Sequence, residues 1–191
     1  MNYQLFQIIN GFAGQWDWID DLMEFFAQDI IWVMIAMIGV LWFTHKEQHQ
    51  QSAFYALLSA VVALGIAALW ISPEVNQPRP FVHHVVHQLI PHSADASFPS
   101  DHSTLAFSLA FSLLFANRKW GTIALAMACL TGFARVYVGV HYPGDIAGSA
   151  VLAALISFLV FTMRHRLNPV PNLLIRIYNK FISSLPILSR K

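Results

Sequence analysis

Ile30-Ile-Trp-Val-Met-Ile-Ala-Met-Ile-Gly-Val-Leu-Trp-Phe43 contains no charged side chain. Carried back to Leu22, the run reaches the ~20 residues needed to cross a bilayer. Four further segments on its C-terminal side have the same character: Ala53–Ser72, Ser103–Ala116 (longer if Ser100 begins the helix), Gly121–Val138 and Gly144–Met163. Of the 191 residues, 57% are hydrophobic and 11% charged, and the mean hydropathy is +0.54. A soluble domain carries about a quarter of its residues as charges, so this chain cannot cover a compact body with solvated charge. Disorder, nucleic-acid binding through a basic surface and an ordinary soluble enzyme are excluded. The expected fold class is all-α: a polytopic helical membrane protein with about five transmembrane helices and interfacial helices at both termini.

Residues 1–21 are too short to span. Tyr3, Leu5, Phe6, Ile9 and Phe12 can share one helical face, and Trp16 and Trp18 among Asp17, Asp20 and Asp21 suit a membrane–water boundary. No Lys or Arg precedes Lys46, so the basic n-region of a cleaved signal is absent. At the other end, a Pro-containing break at Asn168–Asn172 precedes Leu174, Ile177, Phe181 and Leu185, which recur at steps of three or four with Arg176 and Lys180 between them. That spacing predicts an amphipathic helix lying on the membrane. The expected organisation is a single membrane-embedded domain over 1–191, comprising an interfacial segment (1–21), a helical core (22–163) and a cytoplasmic amphipathic tail (164–191). Cys129 is the single cysteine and reads as a small apolar residue.

Basic residues orient the spans. Lys46, Arg118, Lys119, Arg164, Arg166, Arg176, Lys180, Arg190 and Lys191 fall on one side, expected to be the cytoplasm. The other side holds only Arg79 and Arg135, with most of the carboxylates. Both exceptions sit in polar stretches that abut span ends on that outer face. One is Asn76-Gln-Pro-Arg79-Pro80-Phe81, followed by Ser97-Phe-Pro99-Ser100-Asp101-His102. The other is Ala134-Arg135, with His141 and Asp145 after it. Two guanidinium forks match phosphate oxygens. Ser100 and the free N–H groups of a helix start make an anion cradle. One His can attack phosphorus while the other protonates a leaving oxygen, and Asp145, four residues after His141, can hold one ring nitrogen. Phosphoryl transfer needs positioning and charge neutralisation, which this set supplies with no cofactor and no metal.

Arg79-Pro80, Pro99-Ser100-Asp101-His102 and Arg135…His141…Asp145 resemble the three motifs of the type-2 phosphatidic acid phosphatase family, which shares its site with vanadium haloperoxidases. Ser72 stands where the family pattern has Lys, Asp101 where it has Gly, and Ala134 where it has Ser. With the run from Ile90 to His102, these departures resemble one bacterial branch, the bacitracin-resistance type of undecaprenyl-diphosphatase. The resemblance implies that His141 attacks the terminal phosphate to form a phosphohistidine. Asp145 would orient His141, and His102 would protonate the leaving lipid phosphate. Arg79, Ser100, Arg135 and the backbone at Asp101 would bind phosphate oxygens. It further implies a polyprenyl diphosphate substrate, a bacterial plasma-membrane location with the site on the extracytoplasmic face, surrounding lipid as the other partner, and no obligate protein partner. A broad lipid phosphate phosphatase acting on phosphatidic acid or phosphatidylglycerophosphate is the alternative; a non-catalytic transporter is another class.

The remaining polar residues carry less. His83, His84, His87 and His92 crowd the outer loop. They read as polar residues near an anionic substrate rather than a metal site, because no spacing supplies a third ligand. Gln77 and His83 are the candidates to replace the absent Lys. Glu24 and Asp29 lie in or near the first span without an assigned role; a functional Asp29 would face the bundle interior.

Overall fold

The computed structural model describes residues 1–183. Leu185, Arg190 and Lys191 of the expected tail lie outside the described residues. The elements are α1 (Asn2–Asn10), α2 (Asp17–Gln28), α3 (Ile30–Phe43), α4 (Glu47–Ile66), α5 (Ser72–Val75), α6 (Pro80–His83), α7 (Asp101–Ala116), α8 (Arg118–Tyr137), α9 (Pro143–Leu167) and α10 (Pro169–Ser183). A π-helical stretch, Ala67–Ile71, joins α4 to α5. The described residues contain no strand.

The shortest of the inner helices is at the centre. Helix α7 packs against α4, α8 and α9, and its sequence explains why. Ser103, Ala106, Ser108, Ala110 and Ser112 are small and buried. Helix α4, packed against α7, buries small residues of its own: Ala53, Ala56, Ser59, Ala60 and Ala63. Apolar side chains gain nothing by leaving lipid for one another, so membrane helices associate through close packing of small residues and interhelical hydrogen bonds. At Gly121, where α8 crosses α7, an added Cβ would lie 2.2 Å from the Leu114 Cα; only glycine permits that approach. Ser149 Oγ donates to the Ser100 carbonyl (3.1 Å) and Ser157 Oγ to the Ser108 carbonyl (3.2 Å), fastening α9 to α7. Large side chains point outward instead: Trp32, Leu69, Trp70 and Leu155 are more than half exposed, as a lipid-facing surface requires. The chain is a multi-pass membrane protein.

The apolar helices differ in how readily each would cross a bilayer by length and composition. Among the described residues three helical runs are long and apolar enough to cross alone: the one beginning at Glu47, Arg118–Tyr137 and Pro143–Leu167. Helices α2 and α3 qualify only as a pair, bent by 47°, which makes four. Helix α7 has 16 residues and rises about 24 Å, short of the ~30 Å hydrocarbon core. The break between α2 and α3 falls at Asp29, inside the stretch expected to be one continuous span. A carboxylate is costly inside an apolar helix, and the bend leaves Asp29 exposed rather than turned to the interior.

The C-terminal break is also shorter than expected. Only Asn168 separates α9 from α10. Pro169 and Pro171 occupy the first turn of α10, where a missing N–H is tolerated. Pro171 and Ile175 are buried, while Leu174 and Ile177 stay exposed, so α10 is amphipathic across its described length. Helix α1 is docked more firmly than a freely interfacial helix. Phe6 is 1% exposed and meets Tyr142 edge-on at 5.6 Å, while Leu5, Ile8 and Phe12 face outward. Buried Asn10 donates to the carbonyls of His87 (2.7 Å) and Tyr137 (2.8 Å) and accepts from the His87 N–H (3.0 Å). Cys129 lies on an exposed face of α8.

Candidate active site

Asn76 leaves α5 in the left-handed region (φ 40°, ψ 41°). The loop beyond it runs across the ends of α7, α8 and α9, and Arg79 is held there from several sides. Its Nε donates to Asp95 Oδ1 (2.7 Å), one terminal nitrogen to the Val140 carbonyl (3.0 Å) and to His141 Nε2 (3.0 Å), and the other to the Ala96 carbonyl (3.4 Å). Arg135, in the last turn of α8, comes from the opposite direction. It donates to the Ala27 carbonyl and to His141 Nε2, each at 3.4 Å. The two arginines that defy the charge rule are therefore both buried, at 5% and 2% exposure. The Nε of Arg135 is enclosed without a hydrogen-bond partner. A buried guanidinium N–H left unpaired is expensive, and an anion is the partner that would satisfy it.

His141 lies in the α8–α9 loop and is 1% exposed. Its Nδ1 is 3.4 Å from Asp145 Oδ2 and 3.4 Å from Ser97 Oγ. Guanidinium nitrogens are donors only, so Nε2 must be the acceptor and the proton of the neutral ring belongs on Nδ1, facing the carboxylate. Burial, followed by the positive charges of Arg135 and Arg79, holds the His141 pKa well below its ordinary value. The ring is neutral and its lone pair points at the two guanidiniums. Asp145 is placed by the start of α9: Oδ2 accepts from the Tyr142 N–H (2.8 Å). It also accepts a short bond from Ser97 Oγ, and Oδ1 accepts from Gln77 Nε2 (3.3 Å).

Ser100 caps α7. It is fully buried and accepts from the Ser103 N–H at 3.4 Å. The backbone N–H groups of Asp101 and His102, in the first turn, have no acceptor within the helix. The Asp101 side chain is exposed and His102 is half-buried. Burial, then the charges of Arg135, His92 and Arg79, lower the His102 pKa to about 4. Direct bonds thus bring Arg79, Arg135, His141 and Asp145 together, while Ser100, Asp101 and His102 line the α7 end tied to them through Ser149 and α9.

Two contributors went unassigned in the sequence, and a third, Gln77, was expected only as a stand-in for the absent Lys. Ser97 bridges Asp145 and His141, Asp95 clamps Arg79, and Gln77 binds Asp145. Ser97 and Asp95 stand within the Ile90–His102 run, but no spacing gives them a partner, because their partners lie on other elements. Gln77 is committed to Asp145, and His83, the other stand-in for Lys, is exposed. Of the loop histidines, His84 stacks on Tyr3 at 3.9 Å. Only His92 reaches the site, its ring 6.2 Å from that of His141. Among the described residues no group of three or more His, Cys, Asp and Glu side chains is gathered as a metal site would need. Burial and then the Arg79 charge lower the His92 pKa. At Asp95 burial pushes upward, but the hydrogen bonds from Arg79 and Ser93 and the Arg79 charge outweigh it, so the carboxyl sits below its usual range.

Comparison with known proteins agrees with this geometry. The chain is 40% identical over 185 residues to "Undecaprenyl-diphosphatase BcrC" of Bacillus subtilis (strain 168), covering 97% of this chain and 95% of that protein. It is 30% identical to "Bacitracin transport permease protein BcrC" of Bacillus licheniformis, over 94% and 88% of the two chains. The crystal structure of Aquifex aeolicus LpxE superposes with a TM-score of 0.67 at 25% identity, covering 84% of this chain and 94% of that one. The pattern that defines the PAP2 superfamily matches residues 52–169, a stretch that takes in both arginines, both histidines and Asp145, and the chain belongs to the PAP2 superfamily.

Proposed function

We propose that this protein is an undecaprenyl-diphosphatase: a membrane hydrolase that converts undecaprenyl diphosphate to undecaprenyl phosphate and phosphate, recycling the lipid carrier for cell-wall synthesis. The observation that carries the reading is the neutral His141, with Nδ1 on Asp145 and Nε2 facing two buried guanidiniums. The terminal phosphate enters between Arg79 and Arg135, whose terminal N–H groups turn from Nε2 to phosphate oxygens and so free the lone pair. Ser100 and the N–H groups of Asp101 and His102 take the remaining oxygens. The negative charge of the bound diphosphate offsets the positive field that lowers the His102 pKa, and His102 takes up a proton from water. Nε2 attacks phosphorus, the bond to the lipid phosphate oxygen breaks, and His102 protonates that oxygen. Asp145 stabilises the imidazolium character that develops on His141. His102, now neutral, takes a proton from water as the water attacks the phosphohistidine, and phosphate leaves.

The same reading makes 1–191 a single phosphatase domain, with 1–21 at the interface, 22–163 as the helical core and 164–191 as a cytoplasmic tail. The distribution of basic residues supports a site on the extracytoplasmic face of the bacterial plasma membrane and a cytoplasmic C-terminus. A transporter is less well supported, since transport sites lie near the bilayer midplane and these charges gather at helix ends. The test is phosphate release by purified wild-type and His141→Ala protein from undecaprenyl diphosphate, phosphatidic acid and phosphatidylglycerophosphate. Preference for the polyprenyl substrate is expected. Equal rates on all three would mean a broad lipid phosphatase, and near-wild-type activity of His141→Ala would overturn the mechanism.

A further inference from the structure

A cavity of about 370 Å³ lies at the opposite end of the molecule. It lies between the start of α4 and the ends of α7 and α9. Buried Ser52 and Ser112, half-buried Phe161 and Arg164, and exposed Gln48 and His165 are among its lining residues. No carboxylate lines it. The Arg164 guanidinium is stacked on the Phe161 ring, 4.2 Å from the centroid. The backbone beneath it is fixed as well: Tyr55 Oη is within hydrogen-bond distance of the Arg164 carbonyl (3.1 Å) and of Asn168 Oδ1 (2.7 Å). Among the described residues no carboxylate comes within 4.0 Å of Arg164, since the ion pairs present involve only Arg79, His92 and His141. A lipid-interface anchor normally sends its charged head out to water. This one is half-buried and lines a cavity together with Gln48, Gln51 and Asn168. The surrounding field favours an anion: that end carries Lys46, Arg118, Lys119, Arg166, Arg176 and Lys180 besides Arg164, against the single carboxylate of Glu47.

We infer that this cavity binds a phosphate-bearing anion, with the Arg164 guanidinium as its principal ligand. A phospholipid headgroup from the leaflet at that end and free inorganic phosphate share this chemistry. The inference does not depend on the reaction proposed for the other end, and its test reads binding rather than hydrolysis. Purified protein in neutral detergent is titrated with phosphatidylglycerol in mixed micelles and, separately, with sodium phosphate, while thermal unfolding is followed. The catalytic end would also take phosphate, so the readout is the difference between wild type and variants. Arg164→Gln removes the principal ligand. Gln48→Glu, at an exposed position, places a repelling carboxylate at the cavity without touching the packing. Arg166→Gln removes the same charge just outside the cavity.

The midpoint of the thermal shift is expected at roughly tenfold higher ligand concentration in Arg164→Gln and Gln48→Glu, and unchanged in Arg166→Gln. A difference with phosphatidylglycerol alone identifies a lipid headgroup, and a difference with both ligands a simple phosphate site; either supports the inference. No shift in wild type, or the same midpoint in wild type, Arg164→Gln and Gln48→Glu, overturns it. Should Arg164→Gln fail to accumulate, Gln48→Glu alone decides.

Discussion

Replacing Ser97 with Ala tests whether the imidazole is held by more than Asp145. Ser97 Oγ donates to Asp145 Oδ2 and lies 3.4 Å from His141 Nδ1, in a fully buried setting. A hydrogen bond to a charged group is worth about 1.5–3 kcal/mol. Asp145 keeps two other donors, the Tyr142 N–H at 2.8 Å and Gln77 at 3.3 Å, so the loss belongs at the lower end, about 1.5–2 kcal/mol. At about 1.4 kcal/mol per decade that is roughly a ten- to thirtyfold fall in kcat. Ser97 makes no contact with the place a phosphate would take, so KM should stay within about threefold of wild type. The assay is steady-state phosphate release from undecaprenyl diphosphate in detergent, with Asp145→Asn alongside. Asp145→Asn should cost about a thousandfold or more, because it removes the group that fixes the Nδ1–H tautomer. An unchanged kcat in Ser97→Ala, or a rise in KM with kcat intact, would refute the positioning role.

Other consequences follow from the same geometry. His141 must be neutral to attack and its pKa is lowered, so the acidic limb of the kcat/KM profile should lie below the ordinary histidine value of about 6.5. In Arg135→Gln, loss of a nearby positive charge should move that limb upward, and a limb that stays fixed would argue against His141 as the titrating group. Asp95→Asn frees Arg79 from a pair whose carboxylate is largely exposed, worth about 0.2–1 kcal/mol. KM should rise a few-fold with kcat nearly constant, and a kcat loss beyond tenfold would show that the clamp does more than hold Arg79. Asn10→Ala strips partners from the buried carbonyls of His87 and Tyr137 and from the His87 N–H, and should cost about 2–3 kcal/mol. Thermal unfolding in detergent reads this, and a change under about 0.5 kcal/mol would mean that α1 is not docked as described.

What could be read in advance divides along physical lines. Lipid-facing helices carry their own signal, so the apolar runs at Ala53–Ser72, Gly121–Val138 and Gly144–Met163 fall within helices of nearly those bounds. The residues gathered around His141 were legible for a related reason. In a chain this poor in charge, Arg79 and Arg135 stand out on the face where basic residues are scarce, and His141 and Asp145 share one short loop and helix start. The central place of α7 was not legible, because small residues contribute little hydropathy and their value lies in the partner helix they admit. Asp95 and Ser97, and the bond of Gln77 to Asp145, escaped for another reason. Their loop takes its shape from partners far along the chain, such as the Val140 carbonyl that receives Arg79 and the Val138 carbonyl that receives the Leu89 N–H. The bend at Asp29 follows from where that carboxylate must sit, which a window average smooths away.

The two guanidiniums that converge on His141 Nε2, at 3.0 Å and 3.4 Å, bear also on the resting protein. An imidazole with a bare lone pair is a ready ligand for zinc or copper and a target for acylating reagents. Here the lone pair is engaged by donors whose charge repels metal cations. It is released only by something that draws the guanidiniums away, and a phosphate dianion does this better than any neutral electrophile. Histidine-directed reagents should therefore react slowly with the idle protein, and an inhibitor of this centre must bring negative charge with it. On the mechanism proposed above, selectivity for phosphate would be exercised before bond making begins, when the substrate's charge draws the guanidiniums from Nε2.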